Sequence, residues 1–511
     1  MHYSIPSPVY ETLHALEQAG FKAYIVGGSL RDILLGRTPK DWDITTDALP
    51  ERVQEIFPDN VYENSFGTVG VKVPRFLEST ALENEHDIIE VTTFRTESGY
   101  SDERHPDAVT FVTAIEDDLA RRDFTINAIA GKVAAVKVDK TSENHLLATI
   151  EIIDPFRGVA DLEKHILRAV GKPEDRFKED ALRLIRAIRL LTELQSEEVA
   201  KGALTSWKID DETFAALKHF SSHIENIAKE RIRDEFSRII RSKRPAFGVA
   251  LLLETGLLQG IIPELVEGVG VTQNLHHIYT VWEHNLRALE TCPSSKLSVR
   301  LATLLHDVAK PRTKNGDGLH STFYNHDHVG ARMTRKILER LRYPKQIIDH
   351  ASMLVDNHLF YYNVGEVTEA SVRRLIKRVG LEHMDDLMAV RIGDRLGSGV
   401  PKAKPYKLRH LEYMIEKVSQ DPTSVKMLKV NGSFLMEKLN LPPSPKIGAL
   451  LDCLLAEVIE DPGKNTADWL LDRARELMDN DLDVLRTLAK ERIEEKKEAE
   501  DKSIRGRHYV T

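Results

Sequence analysis

An α/β head followed by a wholly helical remainder is the fold class that the sequence predicts. Three observations carry it. Up to about residue 155, short apolar or alternating runs are separated by turn residues and brief helical patterns. From about Asp161 onward, the helical period holds almost without exception. Near 265–275, GVGVTQNLHH opens a histidine-rich region that extends to about residue 400. A chain of 511 residues is long enough for several cores, and these changes of character divide it into 1–155, 156–265, 266–400 and 401–511. No period of 20–50 residues repeats.

In chain order, residues 8–20 carry Val9, Leu13, Leu16 and Ala19 at helical spacing, with Gly20 as the stop. The stretch 23–46, AYIVGGSLRDILLGRTPKDWDITT, reads as strand, Gly-Gly turn, short helix and second strand. A short helix is expected at 50–57, strands through VYENSFGTVGVKV, and an irregular polar excursion at 74–86. The strand expected at 87–94 puts Glu90 and Thr92 on one face. A polar loop, TESGYSDERHPDAV, precedes RRDFTINAIA at 121–130, and a hairpin is expected over 131–154. Helices are clearest at 178–195, 223–242, 245–259, 280–290 and 297–309. Beyond Gly399, PKAKPYK reads as a linker. The helical tail after 405 is broken at LPPSPK and ends in the charged run ERIEEKKEAEDK.

Composition excludes some functions. Apolar and charged fractions of 41% and 30% are those of a globular chain, and a net charge of −9 excludes a globally basic nucleic-acid binder. A local basic groove remains sufficient for phosphate contact. The N-terminus, MHYSIPSPVYETLHALEQAG, lacks the basic and apolar segments of a signal peptide. The most apolar run, 247–266, is interrupted by Glu254 and Pro263 and is too short to span a bilayer, so no membrane partner is expected. Cys292 and Cys453 stand far apart, which suits a reducing cytoplasm and offers no disulfide framework.

The residues that carry chemistry begin with Asp41 and Asp43. At i and i+2 on a strand their carboxylates share a face and can hold divalent metal together. Gly27 and Gly28 let phosphate approach the backbone at a helix N-terminus, and Arg31 in that helix can clamp a phosphate. Glu90 arrives on a neighbouring strand, either as a third acid or as a solvated one. Two-metal phosphoryl transfer uses bridging carboxylates of this kind, and Mg²⁺ suits such an oxygen-lined site. Arg121 and Arg122 read as a phosphate clamp, or as the charged start of a helix capped near Asp123. Asn127, one helical turn beyond Asp123, can bond a sugar hydroxyl or brace the metal-binding strand.

In FKEDALRLIRAIRLL, Asp180, Arg183, Arg186 and Arg189 recur at three-residue steps. On one continuous helix the first three share a face opposite Ala181, Ile185 and Ile188, and Arg189 drifts to the apolar border. A carboxylate accepts hydrogen bonds and a guanidinium only donates them. Side by side, Asp180 and Arg183 match the amine donor and ring-nitrogen acceptor of cytosine and adenine. Against uracil and guanine they leave polar groups unpaired, a basis for strong discrimination. An amphipathic helix with an i, i+3 ion pair is the plainer alternative.

A second constellation comprises His284, His306-Asp307 and Asp394, with His326, His350 and His358 between them. Burying an adjacent His-Asp in LATLLHDVAKP requires partners, and imidazole with carboxylate suits Mn, Co, Ni, Fe or Zn.

GGSLRDILLG with DWD, RRDFTINA and EDALRLIR, in that order, resemble the class II tRNA nucleotidyltransferases and bacterial poly(A) polymerases, over roughly residues 20–260. The resemblance implies a polymerase-β-like nucleotidyltransferase head with a mixed sheet, then a helical neck and body that grip the tRNA acceptor arm. It implies Mg²⁺ at Asp41 and Asp43, and nucleotide contacts from Gly28, Arg31, Arg122, Asp180, Arg183, Arg186 and Arg189. The activity it implies is extension of the tRNA 3′ end by CCA from CTP and ATP without a nucleic-acid template. The loop near 95–107 falls where the family has a flexible element needed for the switch to A addition.

The histidine spacing resembles the HD phosphohydrolase domain. That resemblance implies His284, His306, Asp307 and Asp394 as core ligands, with His326 and His358 as further ligands or phosphate contacts. Such a domain either hydrolyses phosphoesters, for instance at damaged RNA ends, or serves as an RNA-binding scaffold. CC-only addition, A-only addition and poly(A) synthesis share the pocket chemistry and stay open. A phosphohydrolase with a nucleotide-sensing N-terminal half is the alternative of another class.

Overall fold

Strands and helices alternate through the first third of the chain, as its periodicity predicts. The computed structural model describes residues 2–62, 67–76, 86–98, 108–138, 144–200, 206–274, 278–360, 362–399, 404–419 and 428–510. The expected excursion at 74–86 therefore lies outside the described residues over 77–85, as do 99–107 of the polar loop and 400–403 of the linker.

The head opens with β1 (His2–Pro6), α1 (Ser7–Gln18), β2 (Ala23–Val26), α2 (Gly27–Leu34), β3 (Trp42–Thr46) and α3 (Pro50–Ile56). It continues with β4 (Asn60–Tyr62), β5 (Thr68–Pro74), β6 (His86–Thr93), β7 (Arg95–Ser98), β8 (Ala108–Phe111) and α4 (Ile115–Ala120). The last head strands are β9 (Ala130–Val138) and β10 (His145–Ile153), the hairpin expected there, followed by α5 (Gly158–Lys164). Among the described residues, eight strands form one sheet in the order β1-β10-β9-β2-β3-β6-β5-β4, and β7 pairs with β8 separately. The sheet is mixed: β3 and β6 run parallel, whereas β2–β3, β2–β9 and β5–β6 are antiparallel. Parallel register sets Asp43 directly beside Glu90. Ile25, Val26, Leu30, Trp42 and Ile44 are buried, so the turn between β2 and α2 and the start of β3 stand on a fixed core.

The helical part of the first unit comprises α6 (Pro173–Glu179), α7 (Leu182–Ala200), α8 (Asp211–His219), α9 (Lys229–Arg241) and α10 (Pro245–Glu254). Beyond them come α11 (Leu257–Ile261), α12 (Pro263–Val266), α13 (Val281–Thr291), α14 (Leu297–Leu305), α15 (Lys310–Thr313), α16 (His326–Arg340) and α17 (Lys345–Asp356). Helices α7, α9 and α10 bury Ile185, Ile188, Phe236, Ile239 and Leu252.

Three expected helices are broken. The run at 178–195 is divided between α6 and α7, because Asp180 leaves the helix with φ −142° and ψ 104°. Its carboxylate accepts the Leu182 amide at 2.9 Å, a local bond that competes with the helical ladder. The run at 245–259 breaks at Gly256, whose φ is +82°. That at 223–242 is a 3₁₀ segment, Ser221–Asn226, ahead of α9.

Contacts divide the chain into two compact units, Met1–Val355 and Asp356–Thr511. The second contains α18 (Glu369–Val379), α19 (Met384–Gly397), α20 (Tyr406–Ser419), α21 (Gly432–Leu439), α22 (Pro445–Glu460), α23 (Ala467–Leu477) and α24 (Leu482–Arg507). One of its cores joins Val372, Met388 and Ile392 to Leu408, Leu411, Met414 and Ile504, so helices on both sides of residue 400 share it. Among the described residues, no helix is long and apolar enough to cross a membrane.

Candidate active site

Asp43 leaves β3 between the buried side chains of Trp42 and Ile44, and Asp41 stands just ahead of the strand, exposed. The Asp43 amide donates to Ser29 Oγ at 3.3 Å, and Ser29 donates in turn to the Val26 carbonyl at 2.7 Å. The acid strand and the Gly-Gly turn are thereby held together. Gly27 has φ +67°, and a Cβ there would lie 3.0 Å from Arg122 Nη1 and 3.2 Å from Asp43 Oδ2. Glycine suits this crossing of turn, acid and arginine, where a side chain would be strained by the left-handed backbone and press on both groups. Burial raises the pKa of the Asp43 carboxyl; Arg122 and Arg31 oppose that rise and Asp41 adds to it. A partly buried carboxylate with a second carboxylate beside it is a donor set that a divalent cation relieves, so the residues present fit Mg²⁺. Glu90 is in register with Asp43 on an exposed position of β6.

The arginine pair ends a helix rather than starting one, which corrects the capped-start alternative: Arg121 is the C-cap of α4, where a cation suits the helix dipole. Asp118, fully buried one turn earlier, accepts from Arg121 Nε at 3.0 Å and Nη2 at 2.8 Å, and from Arg122 Nη2 at 3.3 Å. Burial alone would raise the Asp118 pKa, but Arg122 and Arg121 outweigh it and hold the carboxyl below its usual range. Arg122 Nε is buried with no acceptor among the described residues, an unspent donor next to the cavity. Asn127, expected to bond a sugar hydroxyl or to brace the metal-binding strand, instead bonds Arg31 and Asp123. Its Oδ1 accepts from Arg31 Nη1 at 2.8 Å, and its Nδ2 donates to Asp123 Oδ1 at 3.3 Å.

These groups face a cavity of about 330 Å³ lined by Gly27, Gly28, Asp43, Arg121, Arg122, Asp123, Asn127, Asp180, Leu182, Arg183, Arg186 and Arg231. Asp180 does not share a helix face with Arg183 and Arg186; it reaches the cavity from the break between α6 and α7. Arg183 donates to Glu179 at 2.7 Å and to the Arg121 carbonyl at 3.0 Å, joining the base end to the arginine pair. Arg186 donates twice to Asp123 Oδ2, at 3.0 and 2.7 Å. Burial would raise the Asp123 pKa, but Arg186 and then Arg183 pull it far below the usual carboxylate range. Arg189 lies outside the lining. It is buried and donates to Glu235 and Glu193, both at 2.7 Å, so the three-residue row leaves the cavity after Arg186. Arg31 and Asp41 are also outside the lining, Arg31 because it is turned onto Asn127 and Asp32.

A second cluster lies in the same unit. His284 from α13 and His306 at the end of α14 face each other with Nε2 atoms 3.0 Å apart, and each Nε2 is 3.3 Å from Asp307 Oδ2. His306 Nδ1 lies 2.8 Å from the Thr303 carbonyl and His326 Nδ1 lies 2.6 Å from that of Phe323. A carbonyl only accepts, so both Nδ1 atoms donate and the Nε2 lone pairs turn toward Asp307. His326 Nε2 is 3.2 Å from Asp307 Oδ1. Lone pairs facing a carboxylate at these distances ask for a cation between them, so the donor set fits a transition metal. His358 and Asp394 lie in the second unit, His358 buried and Asp394 on α19 accepting from Arg391 at 2.6 Å.

Sequence reasoning missed Arg231, Asp118 and Lys310. Arg231 from α9 holds both oxygens of Asp180, at 3.3 Å to Oδ1 and 2.8 Å to Oδ2. Nothing local marks it, since it stands 51 residues from its partner. Asp118 and Lys310 did leave a signal: each sits at i, i+3 spacing from its partner, Arg121 and Asp307 respectively.

The chain matches three protein families: the Poly A polymerase head domain over residues 23–168, the probable RNA and SrmB-binding site of polymerase A over 207–268, and the HD domain over 274–386. It is 30% identical to a CCA-adding enzyme of Lactiplantibacillus plantarum over 94% of this chain and 97% of that one. It is 31% identical to one of Ligilactobacillus salivarius over 93% and 98% of the two chains. Its fold is similar to that of a Bacillus stearothermophilus CCA-adding enzyme solved in complex with CTP, with a TM-score of 0.55 and 27% identity over 92% of this chain and 99% of that one.

Proposed function

Because the chain belongs to the family of CCA-adding enzymes, we propose that it builds and repairs the 3′-terminal CCA of tRNA from CTP and ATP, with its own side chains in place of a nucleic-acid template. The carrying observation is that one cavity is lined jointly by Asp43, the Arg121–Arg122 pair and the Asp180–Arg183 pair. Mg²⁺ held by Asp41 and Asp43 supplies activation of the attacking hydroxyl and charge neutralisation at the triphosphate. Arg121 and Arg122, at the end of α4 beside the Gly27–Gly28 turn, hold the phosphates. Asp180 accepts from the exocyclic amine of cytosine or adenine while Arg183 donates to the adjacent ring nitrogen. Glu90, beside Asp43 in the sheet, is the third acid of this reading.

The His284–His306–Asp307 cluster favours a second activity in the same chain, metal-dependent phosphoester hydrolysis at RNA ends, with Mn, Co, Ni, Fe or Zn as its metal. A tRNA substrate and two buried cysteines held as thiols rather than as a disulfide support a cytoplasmic protein.

The deciding experiment supplies Mg²⁺ and labelled CTP or ATP to tRNAs lacking CCA, CA or only the final A. CTP is used on the first two and ATP on none but the substrate that already ends in CC, with extension stopping after A. Long A tails would replace this reading by poly(A) synthesis, and failure at one step would replace it by a CC-only or A-only enzyme.

A further inference from the structure

At the heart of the histidine cluster stands a cation that the chain itself provides. The Lys310 ammonium is buried and lies 2.6 Å from Asp307 Oδ2, the same oxygen that both His284 Nε2 and His306 Nε2 approach at 3.3 Å. Two further groups hold it. Gln273 Oε1 accepts from Nζ at 2.7 Å, and the Gln273 amide is fixed by its own Nε2, which donates to the Tyr279 carbonyl at 3.2 Å. The Phe323 ring covers the ammonium at 5.6 Å from its centroid, within cation–π reach. A buried ammonium needs partners of this kind, and this one has a carboxylate, an amide oxygen and a ring face.

We propose that Lys310 is a resident counter-cation of the His284–His306–Asp307 site, which a divalent ion must displace from Asp307 in order to bind. The site is then loaded exchangeably, as divalent ion becomes abundant, rather than holding its metal permanently. This rests on reading the cluster as a metal site. A transition metal bonds a carboxylate oxygen at about 2.0–2.2 Å. Asp307 Oδ2 cannot accept it there and keep its ammonium contact without pressing the two cations together in a buried, weakly screened place. The Gln273 oxygen and the Phe323 face remain to hold the ammonium once Asp307 is released.

Co²⁺ is the probe, with affinity measured on the full chain by equilibrium dialysis and by the visible absorption of imidazole-bound cobalt. Binding that His306→Ala removes belongs to this cluster; binding at the Asp41–Asp43 site survives that substitution and is subtracted. Lys310→Met keeps the apolar stem without the charge. Lys310→Gln, which also keeps a donor for Asp307, serves if the first variant folds poorly. Both are expected to bind Co²⁺ at this cluster at least about tenfold more tightly than the unaltered chain. Unchanged or weaker affinity in the variants, with binding still sensitive to His306→Ala, overturns the counter-cation and leaves the metal site standing. Absence of any His306-dependent binding in all three proteins overturns the metal site, and the counter-cation with it.

Discussion

Asp123 does two jobs with one carboxylate. It accepts from the Phe124 amide at 2.9 Å and from Asn127 Nδ2 at 3.3 Å, and it receives the Arg186 guanidinium from α7. Its pKa in the folded chain is far below the ordinary value of about 3.9. A carboxyl whose folded pKa is depressed adds stability that is fully present above its unfolded pKa and is lost as pH falls through the folded one. The melting temperature of Asp123→Asn should therefore lie below that of the unaltered chain by a constant gap from pH 8 to about 5, narrowing below about pH 4. A gap that widened on acidification would contradict the sign of the shift. At this scale the sequence exposes residue types and spacings: Asp43 and the arginine pair, which the pattern singled out, line one cavity, whereas Asp41 stands outside that lining. Arg231 was not legible, because its partner is distant in sequence and no periodicity links an arginine on α9 to a carboxylate in the break before α7.

Elements were most legible where one period ran uninterrupted. The unit β2–α2–β3 follows from two apolar runs around a Gly-Gly turn, and its helix from Leu30 and Ile33 on one buried face. Helix breaks were less legible. The three-residue row through Asp180 looks continuous, yet an aspartate side chain that caps the next turn outcompetes the helix at that point. The Gly-Gly turn carries a prediction of its own. Gly27→Ala puts a side chain into the left-handed region, at about 1–2 kcal/mol, and sets its Cβ 3.0 Å from Arg122 Nη1. Nucleotide transfer should fall by at least about tenfold through displacement of the arginine and acid, with only a small loss of melting temperature. Full activity in Gly27→Ala would show that the crossing there is loose.

On the scale of the whole molecule, two candidate sites occupy the first unit at different places, one between sheet and neck helices and one among α13, α14 and α16. They should separate by mutation. Asp41→Ala is expected to abolish nucleotide transfer and spare phosphoester hydrolysis, and His306→Ala to do the reverse, with both activities assayed on the same preparations. Loss of both activities in either variant would mean one shared site. The change from α/β to mainly helical character was legible in the sequence, whereas the short parallel strand pair of 166–167 with 208–209 was not. The grouping of α18 and α19 with the tail was not either, because amphipathic faces state that a helix packs without stating against which neighbour. Base choice belongs to this scale as well, since Asp180 is held by α9 while Arg183 is tied to the head through the Arg121 carbonyl. Incorporation of CTP against UTP on tRNA lacking CCA, compared between the unaltered protein and Asp180→Ala, tests it directly. The unaltered protein should strongly prefer CTP, and Asp180→Ala should lose about a hundredfold or more of that preference. An undiminished preference in Asp180→Ala would mean that the base is chosen elsewhere.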